Sequence, residues 1–296
     1  MAVLSVTSKV LKSSDGTEIY ADAVGNPSNP SIVLIHGFSL SSSVFDNVFA
    51  DPKFSEKHYL VRYDTRGHGR SGKPEKEEEW QSQRLAEDFD AVVAGFNLKT
   101  PFVGAWSLGC TNLSDILSFH PPSYISGVIV ITGFPYTASV PHIATPFALG
   151  VIPPFTSTGD TPLFQSTALA FVRGLTAPSF ALPHATYRAL LGDVMLQPRM
   201  CCARLLGRPQ DPKGFFEAGK AGLPMLIVDG PEDVIVYGGR MVDAVNSRDH
   251  LDGYEGWENL EVVKIAGAGH MPFVEKPDEF REAILGFVTK VLLQKV

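Results

Sequence analysis

Phe102-Val103-Gly104-Ala105-Trp106-Ser107-Leu108-Gly109 is the stretch on which the fold turns. Phe102 to Gly104 is apolar and reads as a buried strand. Leu113, Ile116 and Leu117 follow at helical spacing, so a helix begins just beyond Ser107. A serine at a tight strand-to-helix turn is held in a strained backbone conformation with its hydroxyl presented. Small residues are needed two positions to either side, where the turn folds the chain on itself. Ala105 and Gly109 meet that need.

Outward from this turn, short apolar runs recur without polar alternation: Ile32 to Ile35, Tyr59 to Tyr63, Val128 to Ile131, Met225 to Val228 and Leu260 to Val263. Such runs suit parallel strands covered on both faces. Helical periodicity lies between them, as in Leu85, Phe89, Val92 and Phe96, and again in Phe280, Ile284, Phe287, Val288 and Val291. Upstream, Val6 to Lys12 and Thr17 to Val24 flank Asp15-Gly16, a strong hairpin turn. Strands alternating with helices predict a doubly wound α/β sheet.

The alternation breaks between Phe134 and Gly222. Phe134 to Arg199 is rich in Pro, Phe, Leu and Ala, and its charged residues are Asp160, Arg173, Arg188, Asp193 and Arg199. So little charge argues against a free-standing domain. The expectation is an inserted cap of short helices at 134–222, on a core of 1–133 and 223–296.

Chemistry-bearing residues sit where the apolar runs end. His36-Gly37-Phe38 follows the Ile32 run, and Gly37 allows close backbone approach. The Phe38 and Leu108 N–H groups are the expected oxyanion donors. His36 itself reads as a structural histidine. Tyr63 to Gly72 contains Asp64, Arg66 and several glycines, a string expected to tie a loop to its neighbours, with His68 bonded within it or open to solvent, and a place lining the pocket as the alternative. Asp229, Glu232 and Asp233 all follow the Met225 strand. His270 stands on the glycine-rich Ala266 to Gly269 loop after the last strand, where it can reach Ser107 as a base.

The order of serine, acid and histidine, with His-Gly upstream, resembles the α/β-hydrolase fold superfamily, in its cap-bearing serine hydrolase branch of esterases, lactonases, perhydrolases and carbon–carbon bond hydrolases. The similarity covers Gly16 to Gly133 and Leu223 to Val291. It implies a mostly parallel eight-stranded sheet with an inserted helical cap. It also implies a catalytic triad of Ser107, Asp233 and His270, since the family places its acid in a G-x-x-D pattern matched by Gly230 and Asp233. Asp64 precedes the nucleophile and is set aside. The chain departs from the family pattern at Ala105, where the elbow has glycine, and at Tyr237, where relatives often have proline. The serine argues against dehalogenase or epoxide hydrolase chemistry, because those relatives carry aspartate at the elbow.

The expected reaction is cleavage of a carboxylic ester or lactone with a hydrophobic acyl or aromatic group, through an acyl-enzyme. Trp106, Phe273, Phe147 and Phe155 are candidate pocket residues, with core packing as their plain alternative. A carbon–carbon hydrolase or lyase on the same triad is the main rival. A small-molecule receptor with residual hydrolysis is a remote one. The net charge of -7 over 296 residues, with 25 basic against 32 acidic side chains, disfavours nucleic-acid partners. No apolar run approaches the roughly 18 residues of a membrane span. The start, Met1 to Val10, lacks the apolar core of a signal peptide. Cys110, Cys201 and Cys202 form no disulfide pattern, and reduced thiols fit a cytoplasmic protein. No cofactor and no metal is expected, for want of ligand spacing among the histidines and of a C-x-x-C.

Overall fold

The computed structural model describes residues 5–157, 159–246 and 256–294. The outermost residues of the start and end sequences read above, 1–4 and 295–296, lie outside that description. An eight-stranded sheet forms the centre, in the order β1-β2-β4-β3-β5-β6-β7-β8. The strands are β1 (Thr7–Lys12), β2 (Glu18–Val24), β3 (Ser31–Ile35), β4 (Tyr59–Tyr63), β5 (Phe102–Trp106), β6 (Gly127–Ile131), β7 (Met225–Asp229) and β8 (Leu260–Lys264). β1 with β2 and β2 with β4 pair antiparallel, and every other pairing is parallel. The β1–β2 hairpin turns at Gly16, whose φ of +87° suits a residue without a Cβ.

Every residue of β3 to β7 is buried, as runs without alternation require. β8 differs. It closes the sheet edge, and Val262 is 37% exposed. An edge strand has a neighbour on one side alone, so its apolar run is only half covered. Helix α1 (Ser82–Gly95) buries Leu85, Phe89 and Val92. The C-terminal helix (Pro277–Gln294) buries Phe280, Ile284, Phe287, Val288 and Val291. Helix α2 (Asn112–Phe119) continues from the 3-10 turn Ser107–Thr111.

Between β6 and β7 the chain makes a helical insertion. Its longer helices are α3 (Thr161–Arg173), α4 (His184–Leu196), α5 (Arg199–Gly207) and α6 (Lys213–Lys220). α3 packs on α4, whereas α6 lies against α2. That last contact is tight: a Cβ on Gly214 would stand 2.2 Å from the Leu117 carbonyl oxygen.

The loop after β4 is held by buried charge. Arg66 is fully buried, and its Nε and Nη2 donate to the two Asp88 oxygens at 2.7 and 2.6 Å. Asp64 accepts from the Ser42 N–H and hydroxyl at 2.8 and 2.6 Å, and from the Arg70 N–H and Nε at 2.8 and 3.0 Å. Lys73 donates to the His68, Gly69 and Ser71 carbonyls.

Candidate active site

Ser107 follows β5 at the middle of the sheet. Its φ is +56°, a left-handed value that a non-glycine residue adopts only when its surroundings enforce it. The enforcement is visible in three backbone approaches. A Cβ on Gly109 would lie 2.2 Å from the His36 carbonyl oxygen, one on Gly37 would lie 2.8 Å from the Ser107 Cβ, and one on Gly133 would lie 2.6 Å from the Ser107 carbonyl oxygen. The elbow is wedged between the loops that follow β3 and β6, with room for no side chain at those positions.

Ser107, His270 and Asp233 come together from three loops. His270 Nδ1 is 2.7 Å from Asp233 Oδ2, and His270 Nε2 is 2.8 Å from Ser107 Oγ. A carboxylate can only accept, so Nδ1 carries the proton. Nε2 is then bare and accepts the Ser107 hydroxyl hydrogen. The other Asp233 oxygen accepts from the Ile235 and Val236 N–H groups at 2.6 and 3.1 Å, which fixes the carboxylate plane. Ser107 is 7% exposed and His270 fully buried. The Asp229 carboxyl stands beside Gly238, where an added Cβ would lie 1.8 Å from Oδ1. Glu232 accepts from the Ser179 hydroxyl at 2.9 Å. Asp233 is therefore the acid that meets His270.

The His270 main chain is gripped as well. Its carbonyl accepts from Trp106 Nε1 at 2.6 Å and from the Thr132 hydroxyl at 2.8 Å. Glu275 accepts from the N–H groups of Gly269 and Met271, on either side of it, at 3.0 Å each. The sequence reading missed Thr132 and Glu275. Glu275 carries a faint signal, as an acid among the apolar residues that follow His270.

Phe38 abuts the elbow through Gly37, and among the described residues its N–H finds no acceptor. Leu108 lies in the first turn of the 3-10 helix, where N–H groups have no acceptor inside the helix. The four aromatic candidates divide. Trp106 and Phe273 are fully buried and meet edge to face at 5.3 Å, with Phe45 on the far side of Phe273. Phe155 is also fully buried, 5.4 Å from the Phe38 ring and 5.1 Å from Phe171. Phe147 is half-buried against Gly174.

His36 and His68 pack beneath the loop that follows β3. The Thr65 N–H donates to His36 Nε2 at 3.1 Å, so Nδ1–H donates to the Gly37 carbonyl at 2.8 Å. His68 Nδ1–H donates to the Arg66 carbonyl, and its Nε2 accepts from the Gln197 amide at 2.7 Å. The Gln197 oxygen accepts from Ser39 Oγ at 2.8 Å and from Cys202 Sγ at 3.0 Å. Both imidazoles are thus neutral, and the pair joins the insertion to the loop that follows β3. Burial pushes His68 well below its usual range, helped by the adjacent His36, and burial lowers His36 against the pull of Asp64. The unfolded chain, with ordinary histidines near pH ~6.5, therefore binds more protons below that pH than the folded one. Stability is complete above pH ~6.5 and falls as the solution is acidified toward the folded values. The melting temperature is expected to hold from pH 7.5 to about 6.5 and to fall from there to about 5.5. A flat melting profile over that range would mean the histidines are not buried neutral.

Cys110, Cys201 and Cys202 are buried free thiols. Among the described residues no group of His, Cys, Asp or Glu converges as a metal site, and no helix is long and apolar enough to cross a membrane.

The model of the alpha/beta hydrolase family matches residues 32–283. The chain belongs to that family. This α/β-hydrolase is 41% identical over 86 residues to the Mycobacterium tuberculosis protein named "Probable oxidoreductase EphD", a match covering 29% of the chain and 14% of that relative. The chain thus spans only a small part of that relative's length. It is 27% identical over 120 residues, 40% of each chain, to rhodomycin D methylesterase DnrP of Streptomyces peucetius. The esterase RhEst1 of Rhodococcus sp. ECU1013 has the same fold, with a TM-score of 0.81 at 22% identity over 96% of this chain and 99% of its own.

Proposed function

We propose that this α/β-hydrolase is a serine hydrolase that cleaves a carboxylic ester or lactone through an acyl-enzyme, with Ser107, His270 and Asp233 as its triad. The observation that carries this reading is the unbroken hydrogen-bonded chain from Ser107 Oγ through His270 to Asp233, at 2.8 and 2.7 Å. The methylesterase relative supports ester chemistry. His270 Nε2 takes the Ser107 proton as Oγ attacks the acyl carbon. The carbonyl electron pair moves onto oxygen, facing the Phe38 and Leu108 N–H groups. One such donor is worth roughly 2.7–4 kcal/mol in the transition state. The ester bond then breaks, the leaving alkoxide takes the proton from His270, and water releases the acid by the same steps in reverse.

The preferred substrate is a small molecule with a hydrophobic acyl or aromatic group. The aromatic rings around the elbow support this. Residues 134–222 act as a cap over the site, with α6 returning to the sheet layer. Two measurements test the reading. A fluorophosphonate should form a covalent adduct on the peptide containing Ser107. A series of p-nitrophenyl esters from acetate to laurate should turn over with an optimum that sizes the acyl site. An adduct at Ser107 without ester turnover would favour carbon–carbon cleavage, and no adduct would overturn the assignment of the nucleophile.

A further inference from the structure

We propose that Glu275 is a positioning residue for His270, one that makes the histidine's alignment depend on a backbone group of the insertion. The inference rests on the Ser107–His270–Asp233 reading above. Glu275 is buried, and among the described residues no lysine or arginine pairs with it. Its carboxylate instead collects three backbone N–H groups. Oε1 accepts from Ala177 at 2.7 Å and Gly269 at 3.0 Å, and Oε2 accepts from Gly269 and Met271 at 3.0 Å. Gly269 and Met271 flank His270. Ala177 belongs to the insertion, in the link between α3 and α4. The two backbones touch there: a Cβ on Gly269 would lie 2.3 Å from the Ala177 nitrogen.

Three converging donors require a group that only accepts, which among buried side chains means an ionised carboxylate. Glutamine has the same length, yet its NH2 would face one of those N–H groups and push the loop away. With the His270 carbonyl already held by Trp106 and Thr132, Glu275 fixes the opposite side of the same residue. The ring then has only its side-chain torsions to adjust, and the 2.8 Å contact to Ser107 is maintained. Displacement of Ala177 by movement of the insertion would release one of the three donors.

Glu275→Gln in the full-length chain tests this. The second-order rate constant for fluorophosphonate labelling of Ser107, measured across pH 5 to 9, is expected to fall about 10- to 100-fold. KM for a short ester should stay near the wild-type value while kcat falls with the labelling rate. A purely structural glutamate would alter the melting temperature and leave the labelling rate of the folded protein in place. A wild-type labelling rate would overturn the proposal. The proton NMR signal of the His270 Nδ1–H, held against Asp233, gives an answer without any reaction. If the wild-type Ser107 fails to label, the nucleophile assignment falls, yet a shifted or broadened Nδ1–H signal in Glu275→Gln still supports the clamp and an unchanged one refutes it. Should the glutamine variant fail to fold, Glu275→Asp keeps the charge and draws the carboxylate back by about 1.5 Å. It should lose labelling rate as well, and a wild-type rate there would equally overturn the proposal.

Discussion

Asp233→Asn is expected to lower kcat for ester hydrolysis about 10^4-fold, the size of effect seen when a triad carboxylate is made an amide. The local geometry makes this substitution unusually selective. Asp233 Oδ1 accepts from the Ile235 and Val236 N–H groups. An asparagine at this position keeps those bonds only if its oxygen stays where Oδ1 now is. Its NH2 must then face His270 Nδ1, across what is now a 2.7 Å contact. Two donors cannot share that line, so the imidazole proton moves to Nε2. Nε2–H then points at Ser107 Oγ and can no longer take its proton. The fold should survive, because every backbone bond to residue 233 is retained. The check is kcat on the best p-nitrophenyl ester, with a thermal melt of the same sample. A loss of less than about tenfold with the fold intact would show that His270 does not depend on Asp233 for its tautomer.

The sequence makes some of this arrangement legible and hides the rest, and the division is physical. The elbow is readable because its demands are local: an apolar strand, small residues at 105 and 109, and helical spacing from Leu113. The hairpin at Gly16 is readable for the same reason. The edge position of β8 is not readable, because whether an apolar run is covered on one face or two depends on which strands flank it. Glu275 is hidden more deeply. In sequence it stands beside Lys276 and Asp278 and looks like the start of a solvated helix. Its carboxylate matters because Ala177, 98 positions away, brings an N–H to the same point. The His68–Gln197 contact spans 129 positions and joins residues whose types alone suggest only polar surface. Side chains that bond main-chain groups leave no pattern of residue types behind, and that is how most of the support around His270 is built.

The same kind of long-range tie sets the largest expected loss of stability. Asp115→Ala should destabilise the fold by about 3–5 kcal/mol, because it leaves Arg208 charged and buried without a counterion. Both side chains are fully buried, and Arg208 Nη2 lies 2.8 Å from Asp115 Oδ2. Nη2 also donates to the Thr111 hydroxyl at 2.7 Å, and Nη1 to the Leu205 carbonyl at 3.0 Å. Gln210 donates to the other Asp115 oxygen at 2.7 Å. Asp115 stands on α2, directly behind the elbow turn, and Arg208 on the insertion just past α5. Removing the carboxylate therefore loosens the returning end of the insertion from the helix that follows the Ser107 turn. Urea unfolding monitored by tryptophan fluorescence would measure the effect. Asp115→Leu combined with Arg208→Met separates two explanations. If the cost lies in the orphaned guanidinium, the double variant should recover most of the stability, since apolar replacement of a buried pair is often neutral. Among the described residues the Arg208 Nε has no hydrogen-bond partner, which marks the pair as imperfectly compensated and favours that outcome. If the double variant is as unstable as Asp115→Ala, the hydrogen bonds that Arg208 donates to Thr111 and Gln210 donates to Asp115 hold the insertion in place, and the ion pair adds little to them.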